Sequence, residues 1–138
     1  MELLLNFQTM VSELTGMTIA NASVLDEGTA ASEAMTMLLF ILPIARQRRA
    51  SKIFFVDKKI HPHMHAVLYS RADGLGMDIQ VGGALDIPSI EDDLIDVMVQ
   101  YPATDGSINE YSSVAKAAHK LGAPLLVAMD LLALALLC

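Results

Sequence analysis

The 138-residue sequence has one cysteine, no tryptophan, 5% aromatic residues and few basic side chains. A lone cysteine, Cys138, forms no internal disulfide and offers no zinc-ligand spacing, which predicts a reducing compartment. Nine Lys and Arg against 16 Asp and Glu leave a net charge of −7, the wrong sign for gripping phosphates, so no nucleic-acid partner is expected. Long apolar runs are also lacking. Met35 to Ile44 contains Thr36 and Pro43 and runs into Arg46, Arg48 and Arg49, while Leu125 to Cys138 is interrupted by Asp130. Both fall short of the roughly 20 residues a membrane-crossing helix needs, and each reads as a core element. The sequence opens on an acid, Glu2, with no basic region before an apolar stretch, so no signal peptide is expected.

What is present is apolar substance: 54% of the residues are hydrophobic, which excludes a disordered tail. The length suits one domain, 1–138, and no repeat or linker divides it. Leu3, Phe7, Met10, Val11 and Leu14 share one face of a helix over Glu2 to Thr15, with Gly16 as its C-terminal cap. That helix has no N-cap residue, as though entered midway, which suggests a piece of a longer protein. A second helix follows Asp26-Glu27-Gly28-Thr29, with Ala30, Ala34, Met37, Leu38 and Ile41 as its stripe. The arginines after Pro43 suit the negative end of its dipole. Pro62 opens a third helix ending at Asp73-Gly74. Ser107 and Glu110 form a capping box for a fourth, in which Ile108, Tyr111, Val114, Ala115, Ala118 and Leu121 line one face. Strands are predicted at Ile53–Val56, Met77–Val81, Val97–Val99 and Leu125–Ala128. Uniformly apolar strands alternating with helices predict an α/β fold with a mostly parallel sheet of about four strands and helices on both faces.

Three constellations bear on chemistry. Gly28-Thr29 at a helix N-terminus suits an anion, whose charge the free amides and the dipole favour; it equally suits a close-packed helix entry. His61, His63 and His65 alternate, but only His61 and His65 share a helix side, and no cysteine or matched carboxylate accompanies them, so no metal is expected. Asp130 follows an apolar strand in the most hydrophobic part of the chain, where a carboxylate must be hydrogen-bonded or paired. It suits a ligand at the strand's carboxyl end, or the N-cap of a following helix. The nine methionines fall mostly on apolar stripes and read as gap-filling core.

Several segments resemble one family. They are Leu4-Leu5-Asn6-Phe7-Gln8-Thr9-Met10, Leu14-Thr15-Gly16 and the run from Ala20 through Asn21-Ala22-Ser23-Val24-Leu25-Asp26-Glu27-Gly28-Thr29 to Ala31. His61-Pro62, Ser70-Arg71-Ala72, Gln100-Tyr101-Pro102 with Thr104 and Gly106, Ala118-His119 and Asp130 to Leu134 follow in order. From end to end the chain resembles the N-terminal half of glycine dehydrogenase (decarboxylating), the P-protein of the glycine cleavage system. The resemblance implies part of the large domain of a fold type I pyridoxal phosphate enzyme. Such an enzyme decarboxylates glycine and passes the aminomethyl group to the lipoylated H-protein. It implies that Gly28 and Thr29 correspond to the phosphate cup and Asp130 to the acid at the pyridine nitrogen, here as relic cofactor-binding positions.

The family's Schiff-base lysine comes well after that aspartate, in the C-terminal half or a separate subunit. Lys52, Lys58, Lys59, Lys116 and Lys120 all precede Asp130, so the resemblance implies no catalytic residue here and no cofactor held by this chain itself. Two departures stand out: His61-Pro62-His63-Met64 replaces the family's His-Pro-x-Thr, and Leu38 to Arg49 is unusually apolar. The expected role is a non-catalytic part of glycine decarboxylase that completes the fold or interface for a cofactor-bearing half or subunit. The alternative is an accessory subunit of a larger protein assembly. The compartment implied is the mitochondrial matrix in a eukaryote and the cytoplasm in a bacterium.

Overall fold

The computed structural model describes residues 2–48, 51–84, 87 and 94–136. Cys138 and Arg49 lie outside the described residues. In chain order the elements are α1 (Glu2–Thr15), α2 (Glu27–Ile41), α3 (Ile44–Gln47), β1 (Ile53–Asp57) and α4 (Pro62–Leu75). Then come β2 (Asp78–Gly82), β3 (Leu94–Tyr101), α5 (Ser112–Lys120), β4 (Leu125–Met129) and α6 (Leu131–Leu136). The strands form one four-stranded sheet in the order β2-β1-β3-β4, every neighbouring pair parallel. No described helix is long and apolar enough to cross a membrane.

Helices cover both faces, as the alternation of elements requires. On one side α2 and α4 contribute Ala31, Met35, Leu39, Met64, Leu68 and Ala72 against Phe54, Val56, Ile95 and Met98 of the central strands. On the other, Val114 and Ala118 of α5 meet Phe55, Val97 and Val99. The central strands β1 and β3 are buried almost throughout, whereas the edge strands β2 and β4 show exposed positions. Uniform burial therefore holds only for the two middle strands, which alone have sheet neighbours on both sides.

Three local expectations are corrected. The face that α2 buries is Gly28, Ala31, Ser32, Met35, Leu38 and Leu39, so Ala30, Met37 and Ile41 of the expected stripe are exposed. This helix is apolar nearly all round, so periodicity alone cannot choose its inner face; packing against α4 does. The carbonyls at its C-terminal end are met by Gln47, whose Nε2 donates to Phe40 O at 2.9 Å and Leu42 O at 2.6 Å.

The capping box does not form. Helix α5 begins at Ser112, and Glu110 Oε1 accepts from Ser112 N at 3.0 Å. The Ser107 hydroxyl is engaged elsewhere, accepting from Lys59 Nζ at 3.0 Å, so 103–111 stays an irregular loop pinned to the end of β1. Helix α4 runs one residue past the expected stop at Asp73-Gly74 and closes on Gly76, which adopts the left-handed conformation (φ 61°).

Candidate functional site

The chain leaves β1 toward β2 through α4 on one face and leaves β3 toward β4 through α5 on the other. The two connections diverge at the carboxyl ends of β1 and β3, where open parallel sheets form their ligand crevice. Beside that point, at the carboxyl ends of β3 and β4, lies a cleft of about 660 Å³. Its walls are Glu27, Ala30, Ala31 and Ala34 of α2, His61 and Met64 at the start of α4, and the ends of β3 and β4 from Gln100 to Pro102 and from Leu126 to Asp130.

His61 is held on this rim by two hydrogen bonds. Its backbone N donates to Gln100 Oε1 at 2.7 Å, and its Nδ1 lies 2.8 Å from Thr104 Oγ1. Gln100 is, with Asp96, one of two buried polar residues in the apolar strand β3, and a polar side chain so placed needs a partner; that is the sequence signal by which it could have been picked out. Lys59 Nζ pairs with Asp105 Oδ2 at 2.9 Å, and the Tyr111 hydroxyl donates to Gln100 O at 3.1 Å. The hydrogen bond with Asp105 raises the Lys59 pKa, and bonds from Ser107 and Lys59 hold the Asp105 carboxyl far below its ordinary range. The loop after β3 is thereby fastened to the loop after β1, which fixes the cleft's rim.

The three histidines do not converge, and His61 and His63, not His61 and His65, are the pair whose rings meet. His61 is the N-cap residue of α4, and its ring stacks on His63 with centroids 5.6 Å apart. His63 Nε2 lies 3.1 Å from Glu27 Oε1, joining α4 to α2. Burial lowers the pKa of His65, favouring its neutral form. Among the described residues no three His, Cys, Asp or Glu side chains converge as metal ligands.

Asp130 reaches the cleft, but it is exposed, contrary to the reading of a carboxylate enclosed by apolar residues. It ends an edge strand and begins the short outer helix α6, so water reaches it. Its Oδ1 accepts from Ala133 N at 2.8 Å, an N-cap bond, and its backbone N donates to Tyr101 O at 3.0 Å. Gly28 and Thr29 are not among the residues lining this cleft. Gly28 is buried under α4, where an added Cβ would stand 3.3 Å from Val67 Cγ2. The Thr29 amide donates to Asp26 Oδ1 at 2.7 Å, and this bond lowers the Asp26 pKa. Thr29 borders a separate shallow hollow with Ser32, Val67, Ser70 and Arg71. Thus Asp130 and His61 share one cleft, while Gly28 and Thr29 face elsewhere.

The model of the glycine cleavage system P-protein family matches residues 1–138. The chain is 42% identical over 139 residues to the putative mitochondrial glycine dehydrogenase (decarboxylating) of Schizosaccharomyces pombe, covering 99% of this chain and 13% of that protein. It is 47% identical over 140 residues to glycine dehydrogenase (decarboxylating) of Bordetella avium, covering 99% and 14%. A crystal structure of glycine decarboxylase (P-protein) of the glycine cleavage system, in inhibitor-bound form, matches with a TM-score of 0.78 and 28% identity. That match covers 95% of this chain and 29% of the solved one. The chain therefore spans about one-seventh of the length of the curated relatives it matches. Its four-stranded parallel sheet with helices on both faces is part of a fold type I large domain. Both the whole-length family match and the shared architecture place the chain in the glycine cleavage system P-protein family.

Proposed function

We propose that this chain is a non-catalytic part of a glycine-decarboxylating P-protein, from the half that does not carry the Schiff-base lysine. The whole enzyme would decarboxylate glycine and transfer the aminomethyl group to lipoylated H-protein. The observation that carries the reading is the composition of the cleft, whose lining includes none of the chain's five lysines. An imine to a cofactor aldehyde needs an amine at that spot. The Thr29 amide is already taken by Asp26, and Gly28 lies against Val67, so these residues do not fit a covalently held pyridoxal phosphate. Gly28, Thr29 and Asp130 are read as former cofactor positions that now serve packing and capping. What this chain contributes is a rigid cleft wall, with His61 oriented by Gln100 and Thr104.

The relatives named above include a mitochondrial and a bacterial protein, and the proposed compartment follows the source: mitochondrial matrix or bacterial cytoplasm. The test is coexpression. The chain alone should show no glycine decarboxylation and no borohydride-trapped adduct with added pyridoxal phosphate. Together with the remaining P-protein polypeptide it should restore exchange of the glycine carboxyl with bicarbonate. A stoichiometric trapped adduct on one lysine of the isolated chain would overturn the reading.

A further inference from the structure

Helix α1 carries Leu3, Phe7, Met10 and Leu14 at alternating spacings of four and three, the seam by which one helix packs along another. Yet none of its residues is buried, and these four are 83%, 45%, 51% and 50% exposed. Its neighbour in the fold is α6, which itself leaves Leu132 and Leu136 exposed. Beyond α6, the Gln8 side chain ties α1 to the following segment by donating to Ala20 O at 2.8 Å. An apolar stripe of this regularity marks a contact surface.

We infer that this face of α1 is the docking surface for the rest of the P-protein polypeptide, an inference that rests on the function proposed above. Two observations select that occupant. The solved P-protein matches 95% of this chain, which leaves about seven residues unmatched, fewer than the 14 of α1. Much of the helix therefore has its counterpart in a protein of which this chain covers only 29%. A second copy of the chain fits poorly. The only charges on α1 are Glu2 and Glu13, so pairing α1 with itself brings acid to acid without a cation, in either direction. The complementary surface is apolar, with basic groups at its rim.

The experiment coexpresses the chain with the tagged remainder of the P-protein and measures capture of wild type, the double variant Phe7→Gln/Met10→Gln, and Tyr69→Gln on α4 as a control for added polarity. Because α1 buries nothing, the double variant should keep the wild-type unfolding midpoint while capture falls by about tenfold or more. The control should be captured like wild type. A photocrosslinker at position 10 reads the same contact without relying on a loss, and should crosslink to the tagged remainder. Undiminished capture of the double variant would overturn the inference and leave the proposed function standing, and equal loss in Tyr69→Gln would do the same. Wild type that is not captured at all overturns both. A wild-type dimer abolished by the double variant, with position 10 crosslinking to its own copy, assigns the face to self-association and overturns the inference.

Discussion

Helices α1 and α2 are nearly equal in length, at 14 and 15 residues, but the fold treats them oppositely. The cleaner apolar stripe belongs to α1, and it buries no residue. The less ordered pattern belongs to α2, and it buries six. The difference lies in what each helix meets. At α2 the residues Gly28, Ala31 and Ser32 are small enough for close approach to α4, so the helix settles beside α4 against the sheet. Among the described residues no surface buries the stripe of α1. A periodic pattern says which face is fit for burial; a neighbouring surface decides whether burial occurs.

Truncation should expose the contrast most strongly. Met35 of α2 is 0% exposed, and Met35→Ala should cost about 2–5 kcal/mol by the loss of buried surface and the cavity left behind. Met10→Ala on α1 should stay within about 0.5 kcal/mol of wild type. Urea unfolding of the two variants measures both, and equal losses would break the comparison.

The next effect concerns the sheet beneath α2. Asp96 is fully buried in β3 beside Phe54, and its Oδ2 has no hydrogen-bond partner. Burial pushes its pKa up from 3.8 to about 8, against the opposing bond from Val97 N. Between about pH 4 and 8 the folded chain holds a proton that the unfolded chain has lost, so stability should fall as pH rises through that window. The drop should amount to several kcal/mol, and Asp96→Asn should flatten it. Unfolding midpoints at pH 5 and 8 for both proteins decide the matter.

A smaller effect is expected where α2 meets α4. Gly28→Val should cost about 1–3 kcal/mol by crowding Val67, and a Val67→Ala background should recover part of that loss. Smallest is the start of α2. Asp26→Ala should lower the melting temperature slightly and Asp26→Ser should restore it, because Ser supplies the same acceptor for Thr29 N. If Ser fails to rescue, the capping bond is not what anchors the helix.

The sequence by itself determined the class of the fold. Alternating apolar strands and helices already required a parallel sheet covered on both faces, and Pro62 and Gly16 marked helix ends that the structure keeps. These features are legible because they depend on local periodicity and backbone constraint, which neighbouring residues set. The order β2-β1-β3-β4 was not legible, nor was the cleft at the carboxyl ends of β3 and β4, which this order sets side by side. The inner face of α2 and the failure of the capping box at Ser107 were also hidden. Each depends on a partner far along the chain: Val67 lies 39 residues beyond Gly28, and Lys59 lies 48 residues before Ser107. His61 shows the same division at the site. Its place before Pro62 was written in the sequence, but its orientation comes from Gln100 and Thr104, which only packing of the sheet brings within hydrogen-bonding reach.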